Sequence, residues 1–194
     1  LFTGWLLTGV EANPGNFNLV FRSGLLLGLG FTFLLGVFPF HSWIPMLAKE
    51  AHHYAFGFLT FFLPSFALIF GFGFFDRYAW LRENQDALPV LVLAGAQMVL
   101  IAGLWAAYER DLGRLFAFAA MLNIGFGLQA VGLGASGVQV FFALLLPSAF
   151  AFWIWAVASS ILANENSPLD LETLRKASTE HPLATVALLL ALFS

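Results

Sequence analysis

Five runs of about twenty apolar residues, parted by short polar stretches, set the outline of this chain. They cover residues 23–45, 55–75, 88–108, 115–134 and 138–162. Each predicts a membrane-spanning helix, because a hydrocarbon core about 30 Å thick takes roughly 20 residues of helix. Residues 1–10 and 183–194 carry the same pattern over half that length and read as parts of two further helices. Residues 11–22, 76–87 and 109–114 are rich in polar and turn-forming residues, and a tight joint is expected between Gly134 and Gly137. The longest polar stretch is 163–182, where Ser167-Pro168 ahead of Asp170 and Glu172 predicts a short surface helix. The expected architecture is therefore all-α: a polytopic transmembrane helix bundle forming one domain over residues 1–194.

One run breaks its own pattern. GVFPFHSWIP, residues 36–45, places Pro39, His41, Trp43 and Pro45 inside an otherwise apolar segment. Proline removes a backbone N–H and clashes with the preceding helical turn. The first span is thus expected to be a discontinuous helix, with His41 beside the break. Freed carbonyls in hydrocarbon need donors, so His41 is read as a donor to one released by Pro39 or Pro45.

Composition sharpens the picture. Only 10% of the residues are charged and 60% are hydrophobic, against about 25% charged in a soluble domain. Cysteine is absent, which excludes disulfides, thiol nucleophiles and cysteine-held clusters. Lysine and arginine are scattered, so no nucleic-acid surface is expected. Across the five runs, His41 stands alone among residues of the Asp, Glu, Lys, Arg and His kinds. Residues 1–10 lack the charged region and cleavage site of a signal peptide, and the chain reads as the middle of a longer protein.

GVFPFHSWIP followed by Lys49-Glu50-Ala51 resembles the PFHxWxPxxxxxA signature of the antiporter-like membrane subunits of respiratory complex I. ERDLGRLFAFAAMLNIGFGL, residues 109–128, is similar to that family's xxDLKRLLAYSSIxHxGY segment. LETLRKASTEHPLATVALLLALFS, residues 171–194, resembles the stretch preceding a later conserved element. The Leu-Glu-x-Leu-Arg loop leans toward the subunit 2 (N) type, Glu50-Ala51 toward the subunit 4 type. The resemblance implies a multi-pass subunit of a bacterial or organellar inner membrane. Its partners would be other integral membrane subunits, and the whole complex would move electrons from NADH to quinone and export protons.

At the positions where that family lines its proton path with titratable side chains, this sequence differs. Leu34 stands for a lysine before the motif, Pro64 (or Ser65) for a lysine in the next helix, Gly113 for the DLKR lysine, and Asn123 for a histidine. Met46 stands for an aspartate. A relay needs groups that titrate near working pH, so the expectation is a kept architecture with a cut proton route and a structural role. No catalytic residue, cofactor or metal ligand is expected. The alternatives are a component of an Mrp-like cation/proton antiporter, a bicarbonate-uptake system or a membrane hydrogenase, or a scaffold anchoring another membrane assembly such as a photosynthetic complex.

The remaining polar residues have ordinary readings. Lys49 and Glu50 are expected in a solvated loop. His52 and His53, adjacent in sequence, do not point to a metal. Gln97, Asn123 and Gln129 read as interhelical hydrogen-bond partners, and Trp80, Trp105, Trp153 and Trp155 as interface or packing residues. Loops 46–54, 109–114 and 163–182 hold five basic residues and the opposite set three, which favours the first set as cytoplasmic. Cysteines placed singly at Glu50, Asp111 and Glu172 are expected to react with an impermeant thiol reagent from that one face of sealed vesicles. Labelling from opposite faces would refute the topology.

Overall fold

A computed structural model describes residues 16–78, 87–162 and 178–193. The segments 1–15, 79–86 and 163–177, with the expected surface helix, Trp80 and the basic residues Arg82, Arg175 and Lys176, lie outside the described residues. The described chain is helical throughout. It runs α1 (Phe17–Leu35), a single 3₁₀ turn (Phe40–Ser42), α2 (Trp43–Glu50), α3 (His53–Arg77), α4 (Ala87–Ala106), α5 (Leu112–Gly132), α6 (Ala135–Leu162) and α7 (Pro182–Phe193). Five stretches are long and apolar enough to cross a membrane, α1 and α2 together counting as one. The protein is an all-α, multi-pass integral membrane protein.

Helix ends shift by one to six residues from the sequence reading, and three of the differences have a clear cause or consequence. The first helix begins at Phe17 rather than 23, because the Asn16 side chain caps it by accepting the Leu19 N–H at 3.3 Å. A carboxamide cap satisfies an N–H that helix geometry leaves open, so the helix needs no apolar residue there and takes in Arg22. Lys49 and Glu50 lie in the last turn of α2, not in a loop. The joint between α5 and α6 falls at Leu133-Gly134, where Gly134 takes a left-handed φ of 67°. Gly137 is already helical, packed against the Ala130 carbonyl.

α5 is the hub. It touches α2, α3, α4 and α6, and 61% of its span is buried against 17–28% for the others. Six of its thirteen buried residues are small: Gly113, Ala117, Ala120, Gly125, Gly127 and Ala130. Lipid tails are as apolar as leucine, so membrane helices associate through close van der Waals contact, which small residues permit. The α4–α5 pair shows this directly. A Cβ on Gly95 would lie 2.5 Å from the Gly125 carbonyl oxygen, and one on Gly132 would lie 2.9 Å from that of Leu88. On the other side of α5, Phe116 stacks on fully buried Trp155 at 4.0 Å; Phe56 meets both rings edge-on, and Phe152 meets Phe116 edge-on.

Contacts fix the ends of the bundle. Tyr54 and Ser160 share a 2.8 Å hydrogen bond, a Cβ on Gly57 would lie 3.2 Å from that of Ala156, and Gly113 sits beside the Ala48 carbonyl. The start of α3, the end of α6, the end of α2 and the start of α5 therefore share one end.

The glycine seam gives a test. Gly95→Val is expected to destabilise the helix bundle by about 1–3 kcal/mol through overpacking, read as detergent unfolding. Gly103→Ala, where a Cβ meets nothing within 4 Å, is expected to be neutral or stabilising by up to about 1 kcal/mol.

Candidate functional site

The break between α1 and α2 is built from the backbone outward. Gly36 takes φ 62°, the left-handed conformation that glycine adopts freely. Its N–H donates to the Phe33 carbonyl at 3.3 Å, and the Val37 N–H donates to Thr32 at 2.9 Å. This pair of bonds is the Schellman closure of a helix end. A Cβ on Gly36 would also lie 2.8 Å from Ile44 Cδ1 and 2.9 Å from Trp43 Nε1, so Trp43 and Ile44 fold back over the end of α1. The Phe38-Pro39 peptide is cis. The Phe40 N–H then donates to the Val37 carbonyl at 2.7 Å and starts the 3₁₀ turn. Pro45 occupies the first turn of α2, where helical N–H groups have no intrahelical acceptor, so it removes nothing the helix uses.

His41 is only partly buried. Its ring stacks on Phe38 with centroids 5.6 Å apart, and its Nδ1 is buried without a partner. The expected bond to a freed carbonyl is not formed from Nδ1. The reason is local: capping and the 3₁₀ turn supply backbone N–H donors to Thr32, Phe33 and Val37. His41 lies on a cleft of about 490 Å³ that Lys49, Glu50, Trp105, Glu109 and Arg114 also line. These charged groups belong to the bundle end. Arg114 pairs with Glu109 at 3.6 Å, Glu109 accepts the N–H groups of Arg110 and Asp111, and Asp111 caps α5 by accepting the Arg114 N–H at 3.1 Å.

The positions that the resemblance singled out fall in different places. Pro64 and Asn123 line one small cavity of about 30 Å³ between α3, α5 and α6, together with Ser65 and Ser148, which is room for about one or two waters. The Ser148 hydroxyl donates to Asn123 Oδ1 at 3.1 Å. No Asp, Glu, Lys, Arg or His lines this cavity. Leu34 packs against the main core. Gly113 is buried where a Cβ would lie 3.4 Å from the Ala48 carbonyl. Met46 is 70% exposed. Sequence reasoning missed Ser148. Its signal is the repeated tripeptide Leu-Pro-Ser, at 63–65 and 146–148; Pro64 and Ser65 of the first copy and Ser148 of the second meet at this cavity.

His52 and His53 lie 6.1 Å apart, ring to ring; His52 stacks on Tyr54, and His53 tilts against Trp155. Among the described residues, no three metal-ligating side chains are grouped to hold an ion.

The break makes a direct test. Gly36→Ala is expected to lower stability by about 1–3 kcal/mol, through left-handed strain and contact with Trp43 and Ile44. An unchanged unfolding transition would contradict the geometry.

A model of the family described as NADH:quinone oxidoreductase/Mrp antiporter, transmembrane, matches residues 5–194. The chain is 28% identical over 131 residues to NADH-quinone oxidoreductase subunit N of Sulfurovum sp. (strain NBC37-1), covering 66% of this chain and 26% of that protein. It is 29% identical over 179 residues to NADH-quinone oxidoreductase subunit N 2 of Syntrophobacter fumaroxidans (strain DSM 10017 / MPOB), covering 88% and 36%. It is 30% identical over 137 residues to NAD(P)H-quinone oxidoreductase chain 4 of Prochlorococcus marinus (strain MIT 9515), covering 64% and 23%. The chain thus spans about a quarter to a third of these relatives, and both types that the sequence pointed to are among them. No solved structure matches it.

Proposed function

Because the chain belongs to the NADH:quinone oxidoreductase/Mrp antiporter membrane family, we propose that it forms part of the membrane arm of a complex I-type NADH:quinone oxidoreductase and packs there without conducting protons through this region. The relatives' names favour the oxidoreductase over the Mrp antiporter that the family description also covers. Its partners on this reading are other integral membrane subunits.

The observation that carries the non-conducting part is the cavity of Pro64, Asn123 and Ser148. Two positions where the family uses titratable groups meet there, and none of the lining side chains holds a proton reversibly near neutral pH. Proline cannot titrate. The asparagine is engaged as an acceptor from Ser148. The other substituted positions, Leu34 and Gly113, serve packing on the core and the close approach of α2 to α5. Leu34, Pro64, Gly113 and Asn123 each serve to hold helices together, which is what a structural role requires, while Met46 is exposed.

His41→Asn and Asn123→Leu, introduced singly in the full-length protein, test this. Both are expected to lower the amount of assembled complex, the first by losing the stack on Phe38 and the second by leaving Ser148 without its acceptor. Protons translocated per electron in reconstituted vesicles are expected to stay unchanged in whatever assembles. A normal amount of mutant subunit with reduced stoichiometry would show a proton route through these residues.

A further inference from the structure

Three polar side chains from three helices meet in the middle of the bundle. Ser65 on α3, Asn123 on α5 and Ser148 on α6 all line the cavity of about 30 Å³. Each stands at or beside the midpoint of its helix, which at 1.5 Å per residue puts it at least about 13 Å from a helix end. One hydrogen bond is closed between them, from the Ser148 hydroxyl to Asn123 Oδ1 at 3.1 Å. Among the described residues, the Asn123 amide N–H groups and the Ser65 hydroxyl have no partner. Other hydroxyls in these helices turn back onto their own backbone: Thr32 to Leu29, Thr60 to Phe56 and Ser160 to Val157. Ser65 does not, and it lines the cavity instead.

An amide donor and a hydroxyl left unpaired at this depth are costly, and the cavity limits what can pair them. None of its lining side chains carries a charge, so an ion would enter with nothing to balance it. Its volume takes one or two waters and is far below that of a helix. The three polar groups that meet in it belong to this chain, so whatever covers the bundle from outside leaves its chemistry the same. A water needs two to four polar partners, and this cavity offers three. Asn123 Nδ2 can donate to it, and Ser65 Oγ and Ser148 Oγ keep lone pairs that can accept from it. The rest of the wall is apolar, with Phe61, Leu68, Ile124 and Phe141, so a water held there has no polar neighbour to step to.

We infer that Ser65, Asn123 and Ser148 form a binding site for one isolated water. The water accepts from Asn123 Nδ2, donates to Ser65 Oγ and Ser148 Oγ, and ties α3 to the α5–α6 pair at mid-depth. Ser65 is its contact on α3. The inference stands on the cavity alone and not on the proposed function, and its readout does not involve proton transport.

A map of the full-length protein in lipid, at a resolution that shows ordered water, tests it. One peak is expected within about 2.7–3.2 Å of Asn123 Nδ2 and at hydrogen-bond distance from both serine hydroxyls. Ser65→Ala is expected to lose most of that peak while the Ser148–Asn123 bond stays. Magnetisation transfer from water to the Asn123 side-chain amide, read by solid-state NMR in lipid and assigned by its disappearance in Asn123→Leu, is expected in the wild type and reduced in Ser65→Ala. The inference is overturned by an empty cavity in a wild-type map that resolves other buried waters, by a peak or transfer unchanged in Ser65→Ala, or by a file of waters running from the cavity to either face of the membrane.

Discussion

A peptide N–H or carbonyl left without a partner in hydrocarbon is costly enough to decide which backbone shapes occur there. Residues 36–42 are where this protein meets that constraint. α1 stops at Leu35, and the Phe33 and Thr32 carbonyls are taken by the N–H groups of Gly36 and Val37, then that of Val37 by Phe40. Only a residue at ease with positive φ can close the helix this way, and Gly36 also clears space for Trp43 and Ile44. The side chains folded over the gap send α2 along α5. That path in turn requires Gly113 at the α2 crossing. One local bonding solution thus propagates to the placement of two helices, and it uses no ionisable side chain.

The same logic runs through the core. α5 is nearly surrounded, and its small residues let four neighbours approach closely. Tight seams such as Gly95–Gly125 and the Phe116–Trp155 stack leave small spaces between helices. At the positions that the resemblance singles out, the chain packs or hydrogen-bonds: Leu34 on the core, Asn123 to Ser148, Gly113 beside the Ala48 carbonyl. Among the described residues, Asp, Glu, Lys and Arg lie toward helix ends, and at one of these ends Glu109, Asp111 and Arg114 satisfy one another and the start of α5. The link from packing to function is this segregation: polar groups organise helix ends, and the deep interior holds groups that do not change charge.

Much of the fold was legible because apolar run length is itself the physical requirement for crossing a bilayer. The all-α bundle and its spans follow from that alone. What escaped depends on single bonds. Asn16 extends α1 through a turn-like stretch because one side-chain acceptor suffices to start a helix. Lys49 and Glu50 read as loop because they are charged, yet they end a short helix at the membrane margin. The donor role expected of His41 is not filled from Nδ1, while the Thr32, Phe33 and Val37 carbonyls beside it take backbone N–H groups. Asn123 was readable as a hydrogen-bonding residue but its partner was not, since Ser148 lies 25 positions away. That Gln97 occupies the exposed side of α4 could not be read at all, because α4 is apolar around its whole circumference.

If the helix break is closed by its own backbone, the amides that close it are shielded from exchange. Amide hydrogen exchange of the full-length protein in lipid, resolved at Val37 and Phe40, tests this most directly, because their N–H groups make the bonds that close the break. Both are expected to exchange as slowly as the buried amides of α5. Exchange at Val37 and Phe40 within seconds, with α5 still protected, would show water reaching the break and would contradict it.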